Sequence, residues 1–430
     1  MGLAWRIAYV VLTRDHPIFP DSLGYHFRAQ DLADGNGFVL PVRQVLGLPI
    51  ENPPDANIPP GWSVFLSIPT RLGLRSVLSQ QLVVCVIGAA TIVMAGLAGR
   101  QAFGRRVGLI AAGLVAVYPN IWLYERELLS ESLTMLLIAT IIWLAYRFIP
   151  APSTGLALAL GVMVGVLALT RAEQIMLGVL LVLPLLLTAR SVPIGRRVAW
   201  LAMAGTACVL VIAPWTAYNW NRFEQPVLLS SGSGQALRAG NCERTYNGEL
   251  LGYTQLDFLE TGNPAGCGII DDELETDQTL VDDQLRRAAL DFMSDNLDRV
   301  PVVAAARIGR AFNVYRPFQQ VHFESERKTP LPVLYAALFA YWALVPLAVL
   351  GAVVARRRKV KIYPLLVFFI VVLIPVALTI GAVRYRSAAE IPLVLLAAVG
   401  TDQLLRKRGS RTRVDPDRVF EAREPIEALA

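Results

Sequence analysis

Charge is the scarcest ingredient of this 430-residue chain. Asp, Glu, Lys and Arg together make 17% of it, against roughly 25% in a soluble globular protein, so the chain cannot cover itself with an ordinary solvated surface. Hydrophobic residues make up 54%, and the mean hydropathy is +0.48, which places it among integral membrane proteins. Cysteine is nearly absent as well. Cys85 and Cys208 fall inside apolar runs, where a thiol behaves as a small hydrophobe. No histidine or further cysteine near Cys242 and Cys267 completes a zinc set. There is no Gly-rich phosphate loop or paired-aspartate nucleotide site, no internal repeat, and no charged residue deep in an apolar run apart from Arg6. The N-terminus lacks a small-residue cleavage site and carries Arg6, so no cleavable secretory signal is visible; it reads as a short first membrane helix, with an upstream start left open. The net charge of +6 lies in short clusters between apolar runs, a topology pattern rather than a nucleic-acid groove, so nucleic acid is set aside as a partner.

What is there is a series of apolar runs. A span needs roughly 20 apolar residues, and the runs are 1–13, 78–99, 106–122, 131–149, 155–170, 173–189, 198–219, 331–353, 362–381 and 387–405. The pattern predicts an all-α polytopic membrane protein of about ten transmembrane helices, with outer juxtamembrane helices and a small extracytoplasmic cap. The apolar segment 61–74 contains Pro69 and Arg71 and reads as interfacial or re-entrant. Basic clusters at Arg100, Arg105 and Arg106, at Arg190, Arg196 and Arg197, at Arg356 to Lys361, and at Arg406 to Arg413 all fall on one side in this arrangement. The positive-inside rule makes that side cytoplasmic. Four regions follow: a membrane module 1–221 whose first outer loop is 14–77, an outer cap 222–330, a C-terminal helical region 331–405, and a disordered charged tail 406–430.

The rare charges then become informative. Asp21 opens an amphipathic helix that stops at Gly35-Asn36-Gly37; such a carboxylate is either a helix cap or a working group. The connection Tyr124-Glu125-Arg126-Glu127-Leu128-Leu129-Ser130-Glu131 holds three glutamates, and Glu127 and Glu131 at i and i+4 are expected to share a helix face, with Glu131 either a working group or a residue favoured by the helix dipole. Arg384-Tyr385-Arg386 puts two guanidinium groups at the outer boundary, where they suit a phosphate. In the cap, Arg307, Arg310, Tyr315, Arg316 and His322 either meet an anionic ligand or anchor the interface. Cys242 and Cys267 are a disulfide if the cap faces an oxidising compartment, and free thiols otherwise.

Carboxylates, arginines and aromatics on one membrane face suit glycosyl transfer from a lipid phosphate: a carboxylate takes the acceptor proton, a cation meets the departing phosphate, and apolar helices hold the tail. The order of features resembles the GT-C class of lipid-dependent glycosyltransferases, the group that contains protein O-mannosyltransferases and aminoarabinose transferases. The segments that carry the resemblance are Asp21 to Tyr25 with Ala29 and Leu32 to Phe38, Pro59-Pro60-Gly61, Leu129 to Leu133, Leu169-Thr170-Arg171, Pro214-Trp215 with Asn219, and Arg384 to Arg386.

The resemblance implies Asp21 as general base, Glu131 as second acidic residue, and Arg384, Arg386, Tyr385, Arg171, Tyr25 and Arg126 around the donor phosphate and substrate. Such families often carry His or Lys before the double proline, where this chain has Ile58. It further implies an inverting single displacement from a polyprenyl-phosphate sugar to a protein, glycolipid or glycan hydroxyl, on the extracytoplasmic face of a bacterial plasma membrane. No cofactor is expected, and no ligand cluster for a divalent metal is evident. A transporter or flippase of lipid-linked sugars is the alternative, and a membrane scaffold the third reading.

Overall fold

A chain this apolar must satisfy its backbone N–H and C=O groups within its own segments, and helices do so. The computed structural model describes residues 2–18, 20–41, 44, 52–254, 267, 277–325 and 329–412. Among these residues there is no strand, only an isolated antiparallel bridge between Val39 and Pro54. The charged tail beyond residue 412 and most of the chain around Cys267 lie outside the described residues.

The order is α1 (Gly2–Leu12), α2 (Pro20–Asp34), α3 (Gly61–Arg71), α4 (Val77–Phe103), α5 (Arg105–Val117), α6 (Pro119–Arg126), α7 (Glu131–Phe148) and α8 (Thr154–Ala168). A 3₁₀ turn (Ala172–Met176) and a π-helical turn (Gly178–Val182) lead to α9 (Leu183–Leu187) and α10 (Ile194–Asn219). The cap holds α11 (Ser233–Gly240), α12 (Glu243–Tyr246), α13 (Gln278–Asp295), α14 (Val300–Ala311) and α15 (Pro317–Ser325), after which the chain returns as α16 (Leu331–Arg357), α17 (Tyr363–Leu378) and α18 (Ser387–Thr412).

Among the described residues, five segments are long and apolar enough to cross a membrane: α4, α7, α10, α16 and Val383–Arg406. A sixth is made if α5 and α6, bent by 46° where Pro119 interrupts the ladder, count as one span. The other expected spans, α1, α8, Ala172–Leu187 and α17, are shorter apolar helices. The segment 61–74 contributes the 11-residue α3, which packs against α2.

α18 runs through the middle. Every residue from Arg386 to Gly400 is buried, as expected of a helix apolar on all sides. It packs on α16 through two glycines: a Cβ on Gly351 would strike the Leu396 carbonyl, and one on Gly400 the Leu347 carbonyl. Small residues at such crossings let two membrane helices approach backbone to backbone.

The charges that the core does contain are paired. Arg6 meets Glu125 at 2.6 Å, both sealed from solvent, and Gly88 makes the room, since a Cβ there would collide with Glu125. At the far end of α18, Asp402 is held by Arg106 and Arg406, each at 2.8 Å. In the cap, Cys242 and Cys267 are joined as a disulfide, their Cα atoms 5.3 Å apart.

Arg307, Arg310 and Arg316 are each bonded to backbone carbonyls. Arg307 donates to the Ala377 and Gly240 carbonyls and to Asn241, and Arg310 to the Leu251 and Glu249 carbonyls. Burial pulls both guanidinium groups down to about 10. Arg316 likewise donates to the Gly248 and Glu249 carbonyls, so none of the three is turned to a ligand.

Candidate active site

Four chain segments converge where α2, α7 and α18 begin. Asp21 stands in the first turn of α2, Glu131 is the first residue of α7, Arg384 lies in the 3₁₀ turn Val383–Arg386 that leads into α18, and Arg171 is extended between α8 and Ala172–Met176. An acidic residue at a helix start is favoured by the dipole in any case. Here both carboxylates also have cationic partners from distant segments.

Arg384 donates to Asp21 at 2.7 Å and lies 3.5 Å from Glu131. Arg171 donates to the same oxygen of Glu131 at 2.8 Å and to Glu173 at 2.7 Å. The result is a chain of alternating charge, Asp21, Arg384, Glu131, Arg171, Glu173. The ring of Tyr385 lies beneath both guanidinium groups, 5.4 Å from Arg171 and 5.6 Å from Arg384, a cation–π arrangement that steadies them. Exposure is lowest in the middle of the chain: the side chains of Asp21, Arg384, Glu131, Arg171 and Glu173 are 44%, 18%, 1%, 10% and 28% exposed. Asp21 is therefore its more open end, and Glu131 the internal anchor.

Tyr25, one turn beyond Asp21, is buried beside this group. Burial, then the Glu131 carboxylate, pushes its hydroxyl above the usual range, so it is a neutral hydrogen-bonding group there.

Two expected site residues are elsewhere. Arg386 is turned inward, 2.7 Å from Glu390, 3.6 Å from the centre of the Tyr341 ring and bonded to the Ala311 carbonyl. Arg126 is bonded to Glu127 at 2.6 Å and to the His16 and Pro17 carbonyls, and so fixes the chain that delivers Asp21. Both are 1% exposed. Glu127 and Glu131 do not share a helix face either: α6 ends at Arg126, and Leu128 has φ of 48°, a left-handed turn that aims the two glutamates apart.

The loop with the double proline also closes on this end. The Gly61 N–H donates to the Leu169 carbonyl at 2.7 Å, and the Trp62 indole to the Leu128 carbonyl at 2.6 Å. Arg28 grips Asp55 of the same loop at 2.5 Å. Phe38 packs edge-on against Trp215 at 4.7 Å. On the other side of Arg384 lies a cavity of about 50 Å³, lined among others by Asn120, Tyr124, Glu127, Asn313 and Gln320. Sequence reasoning missed Glu173, Glu390, Tyr124 and Asn313 as parts of these clusters. Tyr124 and Glu173 adjoin segments already singled out by their charges, whereas nothing in the sequence marks Asn313. Among the described residues no three of His, Cys, Asp or Glu gather as a metal set.

Comparison with known proteins gives the following. Residues 57–218 match the family described as dolichyl-phosphate-mannose-protein mannosyltransferase, a stretch that includes Glu131 and Arg171 but neither Asp21 nor Arg384. Among solved structures, the Archaeoglobus fulgidus oligosaccharyltransferase in complex with Zn and sulfate aligns with TM-score 0.52 and 13% identity, over 96% of this chain and 50% of that one. The same archaeal enzyme, AglB, in complex with an inhibitory peptide and a dolichol-phosphate aligns with TM-score 0.50 and 12% identity, over 99% and 52%. ArnT from Cupriavidus metallidurans bound to undecaprenyl phosphate gives a slighter likeness, TM-score 0.40 and 15% identity over 96% and 78%. This chain spans about half the length of the archaeal enzyme. No curated protein sequence matches it. The resemblance to the GT-C class holds at the level of the fold.

Proposed function

We propose that this chain is an inverting glycosyltransferase that moves a sugar from a polyprenyl-phosphate donor to an acceptor hydroxyl on the outer face of the membrane. The observation that carries the reading is the half-exposed Asp21 carboxylate held by Arg384 at 2.7 Å, at the open end of a buried charge chain in a fold of the GT-C kind. The outer face is supported by α18 itself. Arg384 precedes its start, whereas Asp402, bound to the basic residues Arg106 and Arg406, stands 15 residues after Ser387, about 22 Å along at 1.5 Å per residue. The site and the basic clusters are thus at opposite ends.

In the proposed step Asp21 accepts the proton of the acceptor hydroxyl, whose oxygen attacks the anomeric carbon from the side opposite the phosphate. The bond from that carbon to the phosphate oxygen breaks, and the lipid phosphate leaves with the electron pair. Arg384 is placed to meet that developing charge. The same guanidinium is bonded to Asp21, so a donor phosphate competes for it and loosens its hold on the carboxylate that acts as base. Glu131, anchored by Arg171, keeps Arg384 aimed. The step uses no cofactor. The dolichol-phosphate named in the AglB complex lends support by analogy of fold.

The test is transfer of labelled sugar from a panel of polyprenyl-phosphate sugars to a membrane extract, comparing wild type with Asp21→Asn. Loss of transfer with donor binding kept supports the reading. Full activity in the variant makes Asp21 a helix-start residue only, and no transfer by wild type across the panel favours the lipid-linked-sugar transporter.

A further inference from the structure

The cavity beside Arg384 is lined by two polar groups, on buried residues, that no other described residue bonds. The Tyr124 hydroxyl and the Asn313 carboxamide both line it, and their residues are 5% and 4% exposed. Among the described residues no hydrogen bond reaches either side-chain group. Buried polar groups are almost always bonded, and an unmade bond in a site of low polarity is costly. Two such groups facing one void mark a place for a bonded occupant.

Their chemistry narrows the occupant. Glu127, Glu324 and Arg384 put charge in the same wall, but the carboxamide and the phenol are uncharged and each both donates and accepts, so this pair complements hydroxyl groups. Leu123 and Leu334 supply apolar wall, suited to the C–H face of a ring. The volume of about 50 Å³ has room for roughly three or four water-sized groups, which matches the hydroxyl edge of one ring and not a chain of sugars. Arg384 forms part of the wall and also holds Asp21, so an occupant there lies next to both the phosphate site and the base.

Resting on the glycosyltransferase reading, we infer that this cavity receives the hydroxyl edge of a single neutral monosaccharide, the one carried by the donor, through Tyr124 and Asn313. Its anomeric carbon then lies toward Arg384 and Asp21. Asn313 has φ of 53°, a conformation that Asn tolerates and Gly adopts freely. Asn313→Gly therefore removes the amide without straining the backbone, and Tyr124→Phe removes only a hydroxyl that no other described residue bonds.

The experiment measures binding of undecaprenyl phosphate, bare or carrying one hexose or pentose, to the purified full chain in detergent, together with thermal midpoints. Wild type is expected to prefer a sugar-bearing lipid over the bare one. Each variant is expected to lose roughly 3- to 10-fold of that preference, with unchanged affinity for the bare lipid phosphate and an unchanged midpoint. Full preference in both variants, or none in wild type, overturns the inference and leaves the glycosyltransferase reading standing. Donor preference kept while the acceptor KM rises moves the pocket to the acceptor and overturns the donor assignment. A wild type that binds no lipid phosphate at all sinks the glycosyltransferase reading, and this inference with it.

Discussion

Arg384 and Arg386 are two residues apart in one 3₁₀ turn, and each is bonded to a carboxylate at 2.7 Å. Their surroundings differ completely. Arg384 bridges Asp21, which is half open to solvent, and Glu131, which is sealed. Arg386 is enclosed by Glu390, the Tyr341 ring and the Ala311 carbonyl, while the Tyr118 hydroxyl takes up the other oxygen of Glu390 at 2.9 Å. The second pair is sealed from solvent, with Arg386 and Glu390 each 1% exposed, so no ligand reaches it. The first retains an accessible carboxylate and a guanidinium whose partner a phosphate can replace. Proximity in sequence, residue type and pairing distance are the same. What separates an open site from an internal brace is which face of the turn each side chain leaves.

The comparison can be broken from either side. The largest effect is expected at the open pair: Asp21→Asn should lower the transfer rate about 10²- to 10⁴-fold, with an unfolding midpoint equal to wild type. At the closed pair the effect should be on stability. Arg386→Leu strands Glu390 and should cost about 3–5 kcal/mol in chemical denaturation in micelles, whereas Arg386→Leu with Glu390→Leu should recover most of that loss. A double variant as unstable as the single one would mean that the pair is not what the turn needs. Arg384→Met should lower kcat/KM about 10- to 100-fold, the worth of a charge-assisted bond, and leave the midpoint unchanged; a large fall in stability there would make the two arginines alike after all. The smallest effect concerns the other sealed pair, Arg6 with Glu125. Gly88→Ala should destabilise by about 1–3 kcal/mol through overpacking, while Gly113→Ala, where a Cβ meets open space, should be neutral or slightly stabilising.

The sequence segments that carried the resemblance meet in space. Pro59-Pro60-Gly61 rests on Leu169-Thr170-Arg171, Phe38 on Trp215, Glu131 on Arg171, and Asp21 on Arg384. Charge was the readable signal, because an apolar chain keeps few charged residues and each must be capped, paired or used. That logic led to Asp21, Glu131 and Arg384, and the resemblance added Arg171. It misassigned Arg386 and Arg126 as open contacts because being paired and being available look identical in sequence. The shared helix face expected of Glu127 and Glu131 failed at Leu128, a residue type that does not announce a left-handed turn.

By itself the sequence determined that the backbone would be helical and membrane-embedded, since 54% hydrophobic residues leave no other way to satisfy its polar groups. It also put Asp21, Glu131 and Arg384 next to the ends of apolar runs. Tertiary structure alone decided which arginine faces a substrate, which glutamate is an anchor, and that Tyr124 and Asn313 face one void. These depend on the direction of single side chains after segments hundreds of residues apart have packed, and a one-dimensional pattern carries no such direction.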